Sequence, residues 1–290
     1  MISLFKLTLI VIMIIVSVTS NAQNTTKYSA TTTELTFDSS GKRMSGFIYT
    51  AAGEGLHPTV LLLHGYPGNE KNLDVAQALR SNGWNVVFFH YRGAWGSEGE
   101  FSLLNAEQDV QVVLQYINNE KNATKLRIDR DLISIIGHSM GGHMAIAGIL
   151  DNALVNCAIT YDGANMGVSD VGIIEDSETN VPWKAYSDTL FMLNGWSGDK
   201  LEKELRDHGK DLNLVRRVST INSRPVLLIA ADTEIIPMKS HIKPLLEALQ
   251  QTKNSKVSYI LIDDDHSFNS SRQELIQTTA KFLDANCKGQ

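Results

Sequence analysis

"LISIIGHSMGGHMAIAGIL", Leu132 to Leu150, carries a change of periodicity and a single serine at the point of change. Leu132 to Ile136 is a short apolar run of strand type, and the residues from Gly141 onward have helical spacing. Between them Gly137-His138-Ser139-Met140-Gly141 fits the pattern G-x-S-x-G. A serine on so tight a strand-to-helix turn needs glycine two residues before and two after it, because larger side chains would meet the backbone. Such a turn pushes the hydroxyl into the open at the positive end of the following helix, where a nucleophile is activated. Ser139 is the expected nucleophile.

Outward from this turn, the chain alternates. Nearly continuous apolar runs recur at 59–63, 85–89, 132–136, 155–160, 225–230 and 257–262. Runs of that kind suit strands covered on both faces, as in a parallel sheet. Helical segments separate them: Leu73 to Asn82, Ala106 to Asn119, Gly141 to Leu150, Lys239 to Gln251 and Arg272 to Asn286. Upstream, "ELTFDSSGKRMSGFIYTA" alternates about a Ser-Ser-Gly turn and reads as an antiparallel hairpin. The class is α/β with right-handed crossovers. One interval, about 163–223, is longer than a crossover needs and reads as a small helical, lid-like insertion.

A serine nucleophile needs a base and an acid. The base belongs on a loop after the last strand, and "YILIDDDHSFN" places His266 there. His138 and His143 are too close to Ser139 in sequence to face its hydroxyl, while His57, His208 and His241 read as surface residues. The acid should follow the penultimate strand, where "PVLLIAADTEIIP" offers Asp232 and Glu234. Asp232 is favoured, Glu234 stays open, and Asp162 after "CAITY" is the less favoured choice. Asp263 to Asp265 read as a solvated turn. Two backbone donors are needed for a developing oxyanion, and Met140 N–H and Tyr66 N–H in "LLLHGYPGNE" fit that role. His64 in the same loop reads as a brace bonded to backbone.

With serine, acid and histidine in that order, the chain from about Glu34 to its end resembles the α/β-hydrolase superfamily. Single-domain esterases and the catalytic domains of prolyl-oligopeptidase-like and serine-aminopeptidase-like enzymes are the most similar members. The loop "FFHYRGAWGSEGEFS" resembles the one after the second central strand in many members, with Arg92 as a structural clamp. The resemblance implies acyl transfer by a serine hydrolase. One departure stands out. Members usually place the acid at a set distance after the proline that leads the penultimate strand and before the next proline. Counting from Pro225 lands on Glu234, and counting back from Pro237 lands on Thr233.

Composition bounds what remains. The 290 residues carry a formal charge of −6 and 43% hydrophobic side chains, which suits a soluble domain and argues against a nucleic-acid partner. No cofactor is expected: there is no cysteine–histidine cluster with zinc spacing and no glycine-rich phosphate loop opening a helix. "MISLFKLTLIVIMIIVSVTSNAQ" has Lys6, then an apolar run from Leu7 to Val18, then small residues at Ser20 and Ala22. It reads as a signal peptide, residues 1–22, with a hydrolase domain over 23–290 secreted or held in a periplasm. The apolar run is short of the roughly 20 residues a spanning helix needs, so no stable membrane span is expected after cleavage; an uncleaved anchor is the alternative. Cys157 reads as a core residue and Cys287 lies near the C-terminus, and spacing alone does not establish a bridge.

Substrate class is less legible. A small ester with a short acyl group is favoured over a short peptide, because the insertion is modest. Glu175, Asp176 and Glu178 could hold a substrate amine, or be a solvated face. Trp183, Tyr186, Phe191, Met192 and Trp196 supply apolar bulk suited to a pocket or to packing the insertion. A ligand-binding protein of the same fold without turnover is the rival class.

Overall fold

The computed structural model describes residues 28–167, 183–221, 223–253 and 255–288. The leader expected at 1–22 and the acidic group Glu175, Asp176 and Glu178 lie outside the described residues. Eight strands form one sheet: β1 (Thr31–Ser39), β2 (Lys42–Thr50), β3 (His57–Leu63), β4 (Asn85–Phe89), β5 (Ile128–His138), β6 (Val155–Tyr161), β7 (Val226–Ala230) and β8 (Val257–Leu261). Their spatial order is β1-β2-β4-β3-β5-β6-β7-β8. The N-terminal hairpin β1–β2 is antiparallel and joins β4 antiparallel, and every other pairing is parallel.

Parallel strands need helical crossovers, and these cover both faces of the sheet. Helices α1 (Leu73–Ser81) and α8 (Arg272–Asn286) lie on one face, where Val75, Leu79, Leu275 and Leu283 pack with Val60, Leu62, Ile136 and Ile159. On the other face α2 (Leu103–Asn118), α4 (Met140–Asp151) and α7 (Lys243–Gln250) pack with Leu61, Leu63, Ile135 and Ala158. Adjacent residues of β3 thus serve opposite cores, which is why its apolar run is unbroken. A short helix, α3 (Glu120–Leu126), precedes β5. Strand β8 departs from the expected two-sided cover: it ends the sheet, at the margin of the helical layers, and Leu261 is 53% exposed.

From β3 the chain crosses to β4 on one side, and from β5 it crosses to β6 on the other. Loops leaving the carboxyl ends of β3 and β5 therefore part in opposite directions, opening a crevice where sheets of this type bind ligands. The insertion between β6 and β7 contains α5 (Trp183–Asp188) and α6 (Gly198–Leu212). A strand-like bridge between Ala94 and Leu193 ties it to the loop after β4. No described helix is long and apolar enough to cross a membrane.

Cys157 on β6 and Cys287 at the end of α8 form a disulfide, with Cα atoms 5.7 Å apart. Cys157 is indeed buried, but it is bridged across a separation of 130 residues that concealed its neighbour. Packing α8 under β6 brings the two together.

Candidate active site

The glycines around Ser139 are explained by contact. A Cβ on Gly137 would lie 1.8 Å from Gly141 O, and one on Gly141 would lie 2.3 Å from Leu63 O. Ser139 itself has φ 58° and ψ −121°, a conformation that non-glycine residues rarely hold. It persists because neighbours grip it: Ser139 N–H donates to Tyr161 O at 3.0 Å, and Ala164 N–H donates to Ser139 O at 2.9 Å. Met140 opens α4, so its N–H has no carbonyl of a preceding turn to bond. Gly65, after β3, completes the approach. A Cβ there would be 2.9 Å from the Ser139 Cβ, so only glycine lets this loop lie against the serine.

His266 lines the same cleft as Ser139. Its Nδ1–H donates to Asp162 Oδ2 at 2.6 Å, which leaves Nε2 as the proton acceptor. Asp162 is fully buried, and its carboxylate also accepts Ala231 N–H at 3.1 Å and the Thr233 hydroxyl at 3.1 Å. The sequence expectation of Asp232 as the acid is therefore corrected. Strands β6 and β7 are paired neighbours, with Tyr161 opposite Ile229, so Asp162 and the start of the β7 loop stand side by side at the end of the sheet. The β6 residue supplies the carboxylate and the β7 loop supplies the donors that hold it. Asp232 adopts φ 52° and turns its own carboxylate to Met238 N–H at 3.0 Å, while Glu234 is an exposed loop residue. The signal for Asp162 was its place directly after an apolar run; Thr233 was met only as the residue on which the count from Pro237 landed, with no role assigned to it.

The other histidines have structural tasks. His138 is buried beneath His266, ring centroids 4.6 Å apart, and its Nε2–H donates to His266 O at 2.7 Å. Burial, with the His266 ring nearby, lowers its pKa to about 3. His64 braces its loop as expected, through Nδ1–H to Gly65 O at 2.9 Å, and burial with the His90 ring alongside lowers it to about 3. His143 accepts Met166 N–H and donates to Glu107, pinning α4 to α2 and to the segment after β6. His57 and His241 are buried, not surface residues: His57 bonds Gly83 O, and His241 accepts Asn165 N–H. His208 is exposed. Arg92 is the expected clamp, bonded to Asp109 at 2.6 Å and to Asn105 O and Gln108. Asp264 and Asp265 do more than face solvent. They accept the N–H groups of Ser267, Asn269, Ser270 and Ser271 and so shape the turn that carries His266.

Two spaces meet at Ser139. A cleft of about 300 Å³ is lined by His266, Tyr66, Asn69, Glu70, Trp183 and Tyr186. An inner pocket of about 30 Å³ is bounded by Met140, Ala164, Met166, Leu201, Ile236 and His241, and His266 does not line it. Of the other aromatic residues of the insertion, Trp196 bonds the Tyr66 hydroxyl, whereas Phe191 is 92% exposed and lines neither space. Among the described residues no group of three or more His, Cys, Asp or Glu is placed to hold a metal ion.

Comparison with known proteins agrees with this fold. A family model described as BD-FAE matches residues 48–173. The structure of Est1E from Butyrivibrio proteoclasticus with ferulic acid bound superposes with a TM-score of 0.68 at 17% identity, covering 87% of this chain and 98% of that one. The acylaminoacyl peptidase of Pyrococcus horikoshii gives a TM-score of 0.67 at 17% identity, covering 90% of this chain and 43% of that one. This chain has the α/β-hydrolase fold. Among curated sequences, an uncharacterized protein of Mycobacterium tuberculosis is 22% identical over 214 residues, 73% of this chain and 65% of that protein. As an α/β-hydrolase fold, the molecule places Ser139 after the central strand β5 and His266 after the final strand β8. It draws the carboxylate beside His266 from β6.

Proposed function

We propose that the protein is an exported serine hydrolase that cleaves carboxylic esters of short acyl groups through an acyl-enzyme. The observation that carries this reading is the bond from His266 Nδ1–H to buried Asp162, beside a strained Ser139 facing the same cleft. Ser139 Oγ attacks the ester carbonyl carbon while its proton passes to His266 Nε2. Asp162 holds the ring in that tautomer and stabilises the imidazolium. Tyr66 and Met140 N–H groups receive the oxyanion. Collapse breaks the bond to the alcohol oxygen, which takes the proton from His266. Water, deprotonated by the same nitrogen, then attacks the acyl carbon; the bond to Ser139 Oγ breaks, Oγ takes the proton from His266, and the acid leaves.

The direction of proton transfer distinguishes the two spaces. The leaving oxygen must lie on the side of His266, which assigns the alcohol to the larger cleft. The acyl group then points into the inner pocket. This pocket is much the smaller of the two spaces and is lined mainly by apolar side chains, which supports short acyl chains. Export is supported by the leader sequence together with the disulfide, a bond that persists in oxidising compartments.

A fluorophosphonate should label the protein, and Ser139→Ala should abolish labelling; labelling that survives this substitution overturns the nucleophile. Acetyl and butyryl p-nitrophenyl esters should exceed longer chains, and aminoacyl or prolyl anilides, in kcat/KM. Faster cleavage of the anilides would make the protein a peptidase. No turnover by a folded protein that also resists labelling would make it a ligand-binding relative.

A further inference from the structure

The side chain of Tyr66 is held by the insertion. Trp196 Nε1–H donates to the Tyr66 hydroxyl at 2.6 Å. That hydroxyl donates to Ser187 Oγ at 2.6 Å, and Ser187 in turn donates to Trp183 O at 2.6 Å. All four groups are oriented in one sense, from Trp196 through Tyr66 and Ser187 to the first turn of α5, and chains of this kind strengthen their members. Burial raises the Tyr66 pKa to about 12, so the hydroxyl stays a donor. The next residue is gripped as well, with Trp95 Nε1–H on Pro67 O at 2.6 Å.

These contacts matter because the same residue carries the backbone N–H proposed above as a donor to the oxyanion. Gly65 before it has no side chain to fix the loop, and a rigid peptide needs an anchor. We propose that Trp196 and Ser187 are positioning residues that set the Tyr66 N–H in the oxyanion hole through the Tyr66 hydroxyl. The insertion is thereby part of the catalytic geometry as well as a wall of the cleft. This inference rests on the serine hydrolase reading above.

Trp196→Phe keeps the edge contact with Phe101 but removes the donor. Its kcat should fall about 10–100-fold with KM within about twofold, because a misplaced donor weakens the transition state more than the ground state. Affinity for an alkylboronic acid, whose tetrahedral adduct places an oxygen in the same hole, should fall in parallel with kcat. Tyr66→Phe should lose a similar factor, and the double variant no more than either single one. Ser187→Ala tests the other end of the chain should Trp196→Phe not fold. Phe191→Ala, on the exposed face of the insertion, should leave kcat unchanged. Wild-type kcat in both Trp196→Phe and Ser187→Ala, losses confined to KM, or additive losses in the double variant would overturn the inference. Failure of the wild-type protein to react with fluorophosphonate would instead strike the serine hydrolase reading itself.

Discussion

Asp162 and Asp232 stand at the ends of neighbouring strands, yet only one carboxylate meets the imidazole. Asp162 accepts from His266, Ala231 and Thr233, whereas Asp232 accepts from Met238. Asp162→Asn should misorient the histidine and lower kcat by about 10⁴, while Asp232→Asn should keep kcat near wild type, both measured with p-nitrophenyl acetate. A large loss at Asp232 alone would return the acid to the β7 loop. Gly65 is the second residue on which the site turns. Gly65→Ala places a methyl 2.9 Å from Ser139 Cβ and 3.1 Å from His138 O, with backbone on one side and a strained serine on the other. Neither can yield without moving the loop that carries Tyr66, so kcat should fall about 10²-fold with the protein still folded. The turn that carries Ser139 was legible in sequence because its glycines are neighbours along the chain. The carboxylate beside His266 was not, because its partners come from the loops after β7 and β8.

Elements are joined here by a few long-range bonds. The disulfide fastens the end of α8 to β6, and closing a segment of 130 residues restricts the unfolded chain strongly. Cys287→Ser with Cys157→Ala should lower stability by about 2–4 kcal/mol in urea melts, with kcat unchanged below the new transition. An unaltered midpoint would mean that the bridge adds nothing to the packing of α8. A second tie joins the insertion to the body. Glu204 on α6 accepts Leu103 and Leu104 N–H groups at the start of α2, satisfying donors that a helix leaves open. The strand runs and most of the helices were readable from periodicity. The register of the insertion on α2 was not, since it depends on one carboxylate of α6 meeting a helix end 100 residues earlier.

Across the whole molecule the response to acid follows from histidines kept neutral by burial. His64 and His138 are lowered to about 3 and His90 to about 4, whereas unfolded histidine titrates near 6.5. Below that value the unfolded chain binds protons that the folded one refuses. Stability is then fully present above about pH 6.5, declines as pH falls, and has lost the histidine contribution by about pH 3. Each such group adds a slope of up to about 1.4 kcal/mol per pH unit. Urea midpoints measured from pH 7 to pH 5 should therefore decline steadily, and His90→Phe should flatten the decline. A midpoint independent of pH over that range would contradict the burial of these rings.

What the sequence by itself determined was local. The G-x-S-x-G turn lies within five consecutive residues, and alternating apolar runs and helical segments oblige a mostly parallel sheet with crossovers on both faces. His266 was also within reach, because it follows the last such run. Tertiary structure alone decided which carboxylate faces it, that Cys157 meets Cys287, and that Trp196 holds Tyr66. Each of those pairs brings together residues about 100 or more positions apart. Their meeting depends on strand order and helix packing, which periodicity specifies by kind and not by partner.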